Sequence, residues 1–174
     1  MKMKKYSRTI PIVALTLLVL GSAAAFSQRQ FMVLRGAGRP EIKVALSGVV
    51  ERQNVRVPVQ EAATVKSGEV MDWTITSTNE GTAAAHDYKA VGVIPPGTEF
   101  VAGSVTVDGS ATVTYSIDHG KSFSPRPTID AKQPDGSIKK VAAPVSMYTQ
   151  IRYEWADPLE QGAKRNATYK VRLY

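Results

Sequence analysis

The chain has 174 residues, with 22 Lys and Arg against 15 Asp and Glu, and it contains no cysteine and only two histidines. This length suits one domain with its own core and is short for two. The lack of cysteine excludes disulfides and thiolate sites, and two histidines leave little room for zinc chemistry.

The first 25 residues have the three parts of a secretory signal peptide. A positive segment is followed by an apolar segment over residues 10–20 and by Ala23-Ala24-Ala25 at the cleavage position. The positive charges are Lys2, Lys4, Lys5 and Arg8. An apolar segment this short cannot span a bilayer, which takes about 20 residues. We therefore predict cleavage before Phe26 and no transmembrane segment afterwards; an uncleaved membrane anchor is the alternative.

The charge balance changes when the signal peptide is removed. Four of the 22 basic residues and none of the 15 acidic residues lie in it, which leaves 18 basic against 15 acidic residues, a net charge of about +3. Such a surface gives no warrant for nucleic-acid binding. We expect an exported protein of the periplasm, outer surface or extracellular space, with no nucleic-acid partner.

Residues 26–40 are predicted to form an N-terminal arm ahead of a folded domain at 41–174. The stretch Gly36–Pro40 is predicted to be a flexible joint. The arm also carries an apolar patch, which is Phe31, Met32, Val33 and Leu34. An extended apolar segment on a flexible joint can add itself to an exposed sheet edge of a neighbouring subunit. It can also fold back onto its own domain, and both arrangements stay open here.

The folded domain begins with two predicted strands. Their alternating apolar residues are Ile42, Val44 and Leu46 in the first and Val55, Val57 and Val59 in the second. The turn residues Arg52–Asn54 between them favour a hairpin. Pro58 predicts that the second strand lies at a sheet edge, because proline lacks the N–H that a central strand needs.

The stretch from Val65 to Ser104 is predicted to hold three strands with their turns. In the first, Met71, Trp73 and Ile75 alternate with Asp72, Thr74 and Thr76, which predicts one apolar face and one hydroxyl-rich face. Asn79-Glu80-Gly81 supplies turn chemistry. A second run has Tyr88, Ala90 and Ile94 at even spacing, and Pro95-Pro96-Gly97 ends it.

The order of these features resembles a known family. It runs as a Gly turn, Trp-Thr-Ile-Thr, Asn-x-Gly-Thr-Ala, an alternating strand, Ile-Pro-Pro-Gly-Thr-x-Phe and Val-x-Gly-Ser. It is similar to the conserved-repeat, immunoglobulin-like domain of unknown function (domain of unknown function 11) of bacterial and archaeal surface proteins, over roughly Val57 to Leu173. The resemblance implies an envelope or surface setting and no particular chemistry. Gly92 stands where family members often carry an acidic residue, so no cation site is carried over.

Further strands follow on both sides of a long loop. Asp108-Gly109 lies between two alternating runs and predicts a hairpin turn. Residues 122–146 are rich in proline and basic residues, and we predict a functional or mobile loop there with one small hairpin around Pro134-Asp135-Gly136. The apolar alternation after the first turn is Ala111, Val113, Tyr115 and Ile117. After the loop it is Thr149, Ile151, Tyr153 and Trp155, and then Ala167, Tyr169, Val171 and Leu173.

These patterns predict an all-β fold, an immunoglobulin-like antiparallel β-sandwich of about seven or eight strands. No segment after the signal peptide has helical periodicity. The residues expected to meet between the two sheets are Trp73, Ile75, Val113, Tyr115, Tyr153, Trp155, Val171 and Leu173.

Catalytic and metal chemistry finds little support in the sequence. His86-Asp87, with Ser104 or Ser116 as a partner, has no spacing that indicates a triad, and His119 is typical of an exposed turn. The acids considered for calcium, scattered singly across turns, are Asp72, Asp87, Asp108, Asp118 and Asp135. We predict a protein that is not an enzyme and needs no cofactor or metal.

Two functions remain. The first is a structural or assembly module of the envelope or cell surface that contacts other envelope proteins or further copies of itself, with the arm patch as a candidate contact. The alternative is a module that binds carbohydrate or an anionic polymer through the basic loop. The candidate residues there are Lys121, Arg126, Lys132, Lys139, Lys140 and Tyr148, the last expected to be exposed near the loop.

Overall fold

Strands with turns between them account for nearly all regular structure in the part of the chain that is described. The computed structural model describes residues 38–53 and 55–174, and the predicted signal peptide and the arm patch lie outside them. Eleven strands and one 3₁₀ turn at Val145–Met147 are present. The strands are β1 Ile42–Arg52, β2 Val55–Pro58, β3 Val70–Asn79, β4 Lys89–Val93, β5 Thr98–Phe100, β6 Thr106–Val107, β7 Ala111–Ser116, β8 Thr128–Lys132, β9 Ile138–Ala142, β10 Gln150–Trp155 and β11 Lys164–Leu173.

The strands form antiparallel sheets. The large sheet has the order β2-β1-β3-β11-β5, with β6 also paired to β11, and the small sheet has the order β4-β10-β7. Strands β8 and β9 form a separate hairpin. The prediction of an all-β antiparallel fold is confirmed.

The inner faces of the two sheets share one apolar core. Of the eight predicted core residues, Ile75, Tyr153, Trp155 and Val171 are buried, and the other four are half-buried against them. The alternation in β3 and β10 is therefore confirmed as an inner and an outer face.

A tyrosine hydroxyl ties the two sheets together. Tyr169 in β11 donates a hydrogen bond of 2.7 Å to the carbonyl oxygen of Val93 at the end of β4. Gly92 allows this approach, because a Cβ there would lie 2.7 Å from Cε1 of Tyr169. An acidic side chain at this position would collide with the core.

The buried phenols predict alkaline unfolding. Burial raises the pKa of the Tyr153 and Tyr169 hydroxyls well above the usual value of about 10. A raised folded-state pKa means that the stabilisation is complete below about pH 10 and is lost as the pH rises above it. We expect phenolate absorbance from these two residues to appear only together with loss of the β-sheet circular dichroism signal. Their ionisation in a still folded protein would contradict the burial.

The turn at Asp108-Gly109 does not close a hairpin, and that prediction was wrong. Strand β6 pairs with β11 in the large sheet, whereas β7 pairs with β10 in the small sheet. The Asp108 carboxylate accepts hydrogen bonds of 2.9 Å from the backbone and side-chain nitrogens of Asn166. Its carbonyl accepts one of 2.9 Å from Nε1 of Trp155. The turn therefore crosses between the sheets.

The β1–β2 hairpin is confirmed, as is the edge position of β2. Arg52 lies opposite Val55, and Val50 lies opposite Val57. Strand β2 has β1 as its only neighbour in the large sheet. It covers only the last part of β1, since its pairing begins at Val49.

Eleven strands exceed the seven or eight predicted because several are short. Strands β5 and β6 have three and two residues, too few to show an alternation. The small hairpin predicted around Pro134-Asp135-Gly136 is present as β8–β9.

Part of the 122–146 segment covers the outer face of the small sheet. Ser124 pairs with Tyr115 through two backbone hydrogen bonds of 2.8 and 3.0 Å, and the Phe123 ring lies 4.2 Å from the guanidinium carbon of Arg152. Thr114 and Ser116, on the outer face of β7, are consequently buried. This part of the predicted loop is packed structure.

Candidate functional site

The five basic candidates of the long loop are exposed, and none forms an ion pair with another residue of the described ranges. Three of them, Lys132, Lys139 and Lys140, lie on the β8–β9 hairpin. Lys140 lies opposite Asp130 and Lys132 opposite Ile138, so these four share one face. Lys139 lies opposite Ala131 on the other face. The structure therefore does not gather the lysines into one basic patch.

The tip of this hairpin carries an exposed apolar side chain. Ile138 is 74% exposed, with Lys132 directly opposite it. The exposed face thus combines one apolar residue with flanking positive charges. This face therefore carries an apolar side chain and the carboxylate of Asp130 beside its two lysines.

Tyr148 is half-buried, which differs from the exposed position that we predicted. Its ring lies 4.9 Å from that of Tyr115 and 5.9 Å from that of Phe100, measured between centroids. The three rings close one end of the core between β5 and β7. Packing explains Tyr148 without a ligand.

A shallow cavity of about 350 Å³ lies on the outer face of the large sheet. Its residues are Val49, Glu51, Arg56, Gly68, Glu69, Val70, Asp72 and Lys170. Asp72 lies between Arg56 at 3.1 Å and Lys170 at 3.3 Å. Hydrogen bonding from Arg52 lowers the pKa of the Glu69 carboxyl. Asp72 and Glu69 therefore have cationic partners, and the third carboxylate of the lining, Glu51, is exposed opposite Arg56 in the β1–β2 pairing.

The residues considered for catalysis and calcium do not converge. No group of three or more His, Asp or Glu that could hold a metal ion occurs in the part of the chain that is described. Asp118 accepts hydrogen bonds from Ser116 Oγ at 2.7 Å and from Ser122 Oγ at 2.5 Å, and these bonds lower its pKa. The Ser116 Oγ also accepts hydrogen bonds from the backbone nitrogens of Asp118 at 3.3 Å and Gly120 at 2.8 Å, so it is engaged in shaping this turn.

The feature that sequence reasoning missed is an open edge along the first half of β1. Strand β2 pairs with Val49–Arg52 only, and the one further contact is Val59 N donating to the Gly48 carbonyl at 2.8 Å. Ile42–Ser47 has no strand neighbour on that side within the described ranges. The two strands have 11 and four residues, but their alternating runs in the sequence, Ile42–Leu46 and Val55–Val59, are equally long, so no sequence signal revealed this edge.

Comparisons with known proteins add no assignment. No protein-family model matches the chain, and neither a curated protein nor a solved structure matches it significantly. Among residues 38–53 and 55–174, no helix is long and apolar enough to cross a bilayer.

Proposed function

We propose that the chain is an exported, non-catalytic assembly module of the cell envelope or cell surface that works by contact between proteins. The observation that carries this proposal is the open edge of β1 in a sheet whose other strands are paired. Exposed strand edges are templates for the addition of another strand. The N-terminal arm, with its apolar patch Phe31–Leu34, is a segment with the composition to use such an edge.

We also propose the finer fold assignment, an immunoglobulin-like sandwich of the conserved-repeat family. The order of strands and turns from Gly68 to Ser104 supports it, together with an aromatic core between two antiparallel sheets. That family's setting at cell surfaces agrees with the predicted signal peptide.

The second candidate function is binding of an anionic polymer or carbohydrate by the 122–146 segment. Five exposed cations without ionic partners in the described residues favour it. Three of the five, Lys132, Lys139 and Lys140, lie on two opposite faces of the β8–β9 hairpin, which counts against a single binding surface.

Deletion of the arm tests the assembly proposal. Removing residues 26–37 leaves the described strands intact, so the melting temperature should change by no more than a few degrees. The mass of oligomers measured by light scattering should fall to that of the monomer. A monomeric wild-type protein that binds a glycan array would instead favour the second candidate function, and unfolding of the deletion variant would mean that the arm is part of the fold.

A further inference from the structure

The direction of the backbone groups shows what the open edge offers. In an antiparallel strand the N–H and C=O of one residue point to the same side, and this side alternates along the strand. The Gly48 carbonyl faces β2, because it accepts the hydrogen bond from Val59. Ile42, Val44 and Leu46 have the same parity as Gly48, so their N–H and C=O groups face the empty side of β1. These six groups have no hydrogen-bond partner among the described residues.

Three other edges, those of β2, β7 and β4, each carry a feature that hinders an added strand at one position. On the outer side of β2, Pro58 has no N–H to offer. Ser124 occupies the edge of β7 at Tyr115. On β4, the Val93 carbonyl already accepts the Tyr169 hydroxyl. Between Ile42 and Ser47, the edge of β1 has neither a proline nor a paired segment beside it among the described residues.

The side chains along this edge suit an added strand. On the inner face Ile42, Val44 and Leu46 are apolar and only half-buried, so a further strand would cover more of them. On the outer face Ala45 and Ser47 are small. Lys43 is the only charged residue from Ile42 to Ser47, and its Nζ lies 3.4 Å from Oε1 of Glu80. No unpaired charge therefore repels an incoming strand.

The chain directly before β1 limits how the arm of the same molecule could fill this position. The pairing of β1 with β3 continues to the chain ahead of it, since Glu80 N donates to the Glu41 carbonyl at 2.7 Å and Thr82 N to the Arg39 carbonyl at 2.9 Å. Gly38 is pressed against Thr82, where a Cβ would lie 2.5 Å from the carbonyl oxygen. The chain is thus held in line with β1 from residue 38 onward, and the prediction of a flexible joint was wrong for residues 38–40.

The short chain between the arm patch and β1 restricts a contact within one molecule. Leu34 is four residues before Gly38, and Gly38 is four residues before Ile42. An arm that folds back to place Leu34 beside Ile42 needs all four steps fully extended, at about 3.3–3.6 Å each. A two-residue turn at Gly36-Ala37 would bring Phe31 opposite Ile42, so none of the patch would reach Val44 or Leu46. An arm that comes from another molecule has no such restriction.

We propose that the edge of β1 from Ile42 to Leu46 accepts the Phe31–Leu34 segment of a second copy of this chain as an added strand. This inference rests on the proposed assembly function and names the contact that performs it. Each copy carries one arm and one acceptor edge, at different places. Two copies that exchange arms would form a closed dimer, and one-way use repeated from copy to copy would give a filament or a closed ring.

Proline substitution at the edge tests the acceptor. Val44→Pro removes an N–H that faces the empty side, and proline is tolerated at such edge positions. The variant should remain folded, while self-association measured by light scattering becomes at least about tenfold weaker through loss of hydrogen bonding and register. Arg56→Pro is the matched control, since its N–H faces outward from β2 like the nitrogen of Pro58. It should associate like wild type, and equal losses in both variants would overturn the proposal.

Disulfide crosslinking gives a second test that does not depend on proline. The chain has no native cysteine, so Ala45→Cys can be placed in one copy and Met32→Cys or Val33→Cys in another, differently tagged copy. Mixing and oxidation should give a disulfide between the two tags. Thr112→Cys, exposed on β7, replaces Ala45→Cys as the control and should give none.

The outcomes of these experiments distinguish a failure of the proposed β1 contact from a failure of the proposed assembly function. Arm-dependent oligomers without a crosslink to position 45 would overturn the acceptor edge and leave the assembly function standing. A disulfide that forms only within a chain carrying both cysteines would show that the arm folds back in cis. A wild-type chain that stays monomeric at high concentration would overturn the assembly function itself.

Discussion

Replacing Trp155 with alanine is expected to destabilise the protein by about 3–5 kcal/mol, the usual cost of truncating a buried tryptophan. Trp155 is 3% exposed and stacks on Tyr88 at 5.6 Å between ring centroids. Its Nε1 also donates a hydrogen bond to the carbonyl of Asp108, in the turn that crosses between the sheets. Because small domains are stable by only about 5–15 kcal/mol, this loss should abolish or cripple folding. Denaturant unfolding measures it directly.

Two further variants show which part of Trp155 matters. Trp155→Phe keeps an aromatic ring against Tyr88 and loses the hydrogen bond to Asp108, so it should cost clearly less than alanine. Trp73→Ala should also cost less, because Trp73 is only half-buried and lies over Gly48, where a Cβ would be 2.7 Å from Cζ3. An equal loss for Trp73→Ala and Trp155→Ala would contradict the exposures that separate them.

Replacing Asn79 is expected to have an effect of similar size. Asn79 is fully buried at the end of β3. Its Oδ1 accepts from the backbone nitrogens of Glu41 at 3.2 Å and Gly81 at 3.1 Å. Its Nδ2 donates to the carbonyls of Ala83 at 2.7 Å and Leu159 at 2.8 Å. One side chain thus joins the start of β1, the turn after β3 and the loop before β11.

Asn79→Asp keeps the shape and removes the two N–H donors. The new carboxylate oxygen would face two buried carbonyls, and unpaired buried polar groups cost about 1–3 kcal/mol each, more when charged. We expect a loss of about 3–5 kcal/mol of unfolding free energy at neutral pH. Thr78→Ala is the control on the outer face of the same strand, and it should stay within about 0.5 kcal/mol of wild type. If Asn79→Asp is as stable as Thr78→Ala, the four hydrogen bonds of the Asn79 side chain do not stabilise these loops.

If the assembly proposal holds, these two substitutions and the arm variants affect different properties. Trp155 and Asn79 act inside one copy, so they should lower the stability of the monomer. The arm deletion and Val44→Pro act between copies, so they should lower oligomer mass with the monomer intact. Comparing melting temperature with light scattering for the same variants separates folding from assembly.

Alternation in the sequence was sufficient to determine the all-β class and the place of the long strands β1, β3, β7, β10 and β11. A period of two is a property of neighbouring residues, and it requires no knowledge of distant contacts. Pro58 likewise marked an edge strand, because the missing N–H is a property of the residue itself. Strands of two or three residues, such as β6, show no period and could not be predicted this way.

Only the tertiary structure decided which sheet each strand joins. Asp108-Gly109 looks like a hairpin turn locally, but Asp108 is held by Asn166, 58 residues away, and the chain crosses to the other sheet there. The half-buried place of Tyr148 against Phe100, the separation of Lys132 from Lys139 and the open edge at Val44 likewise depend on strand pairing. Contacts between residues far apart in the chain carry no local pattern, and they determine which backbone groups of this protein remain free to bind a partner.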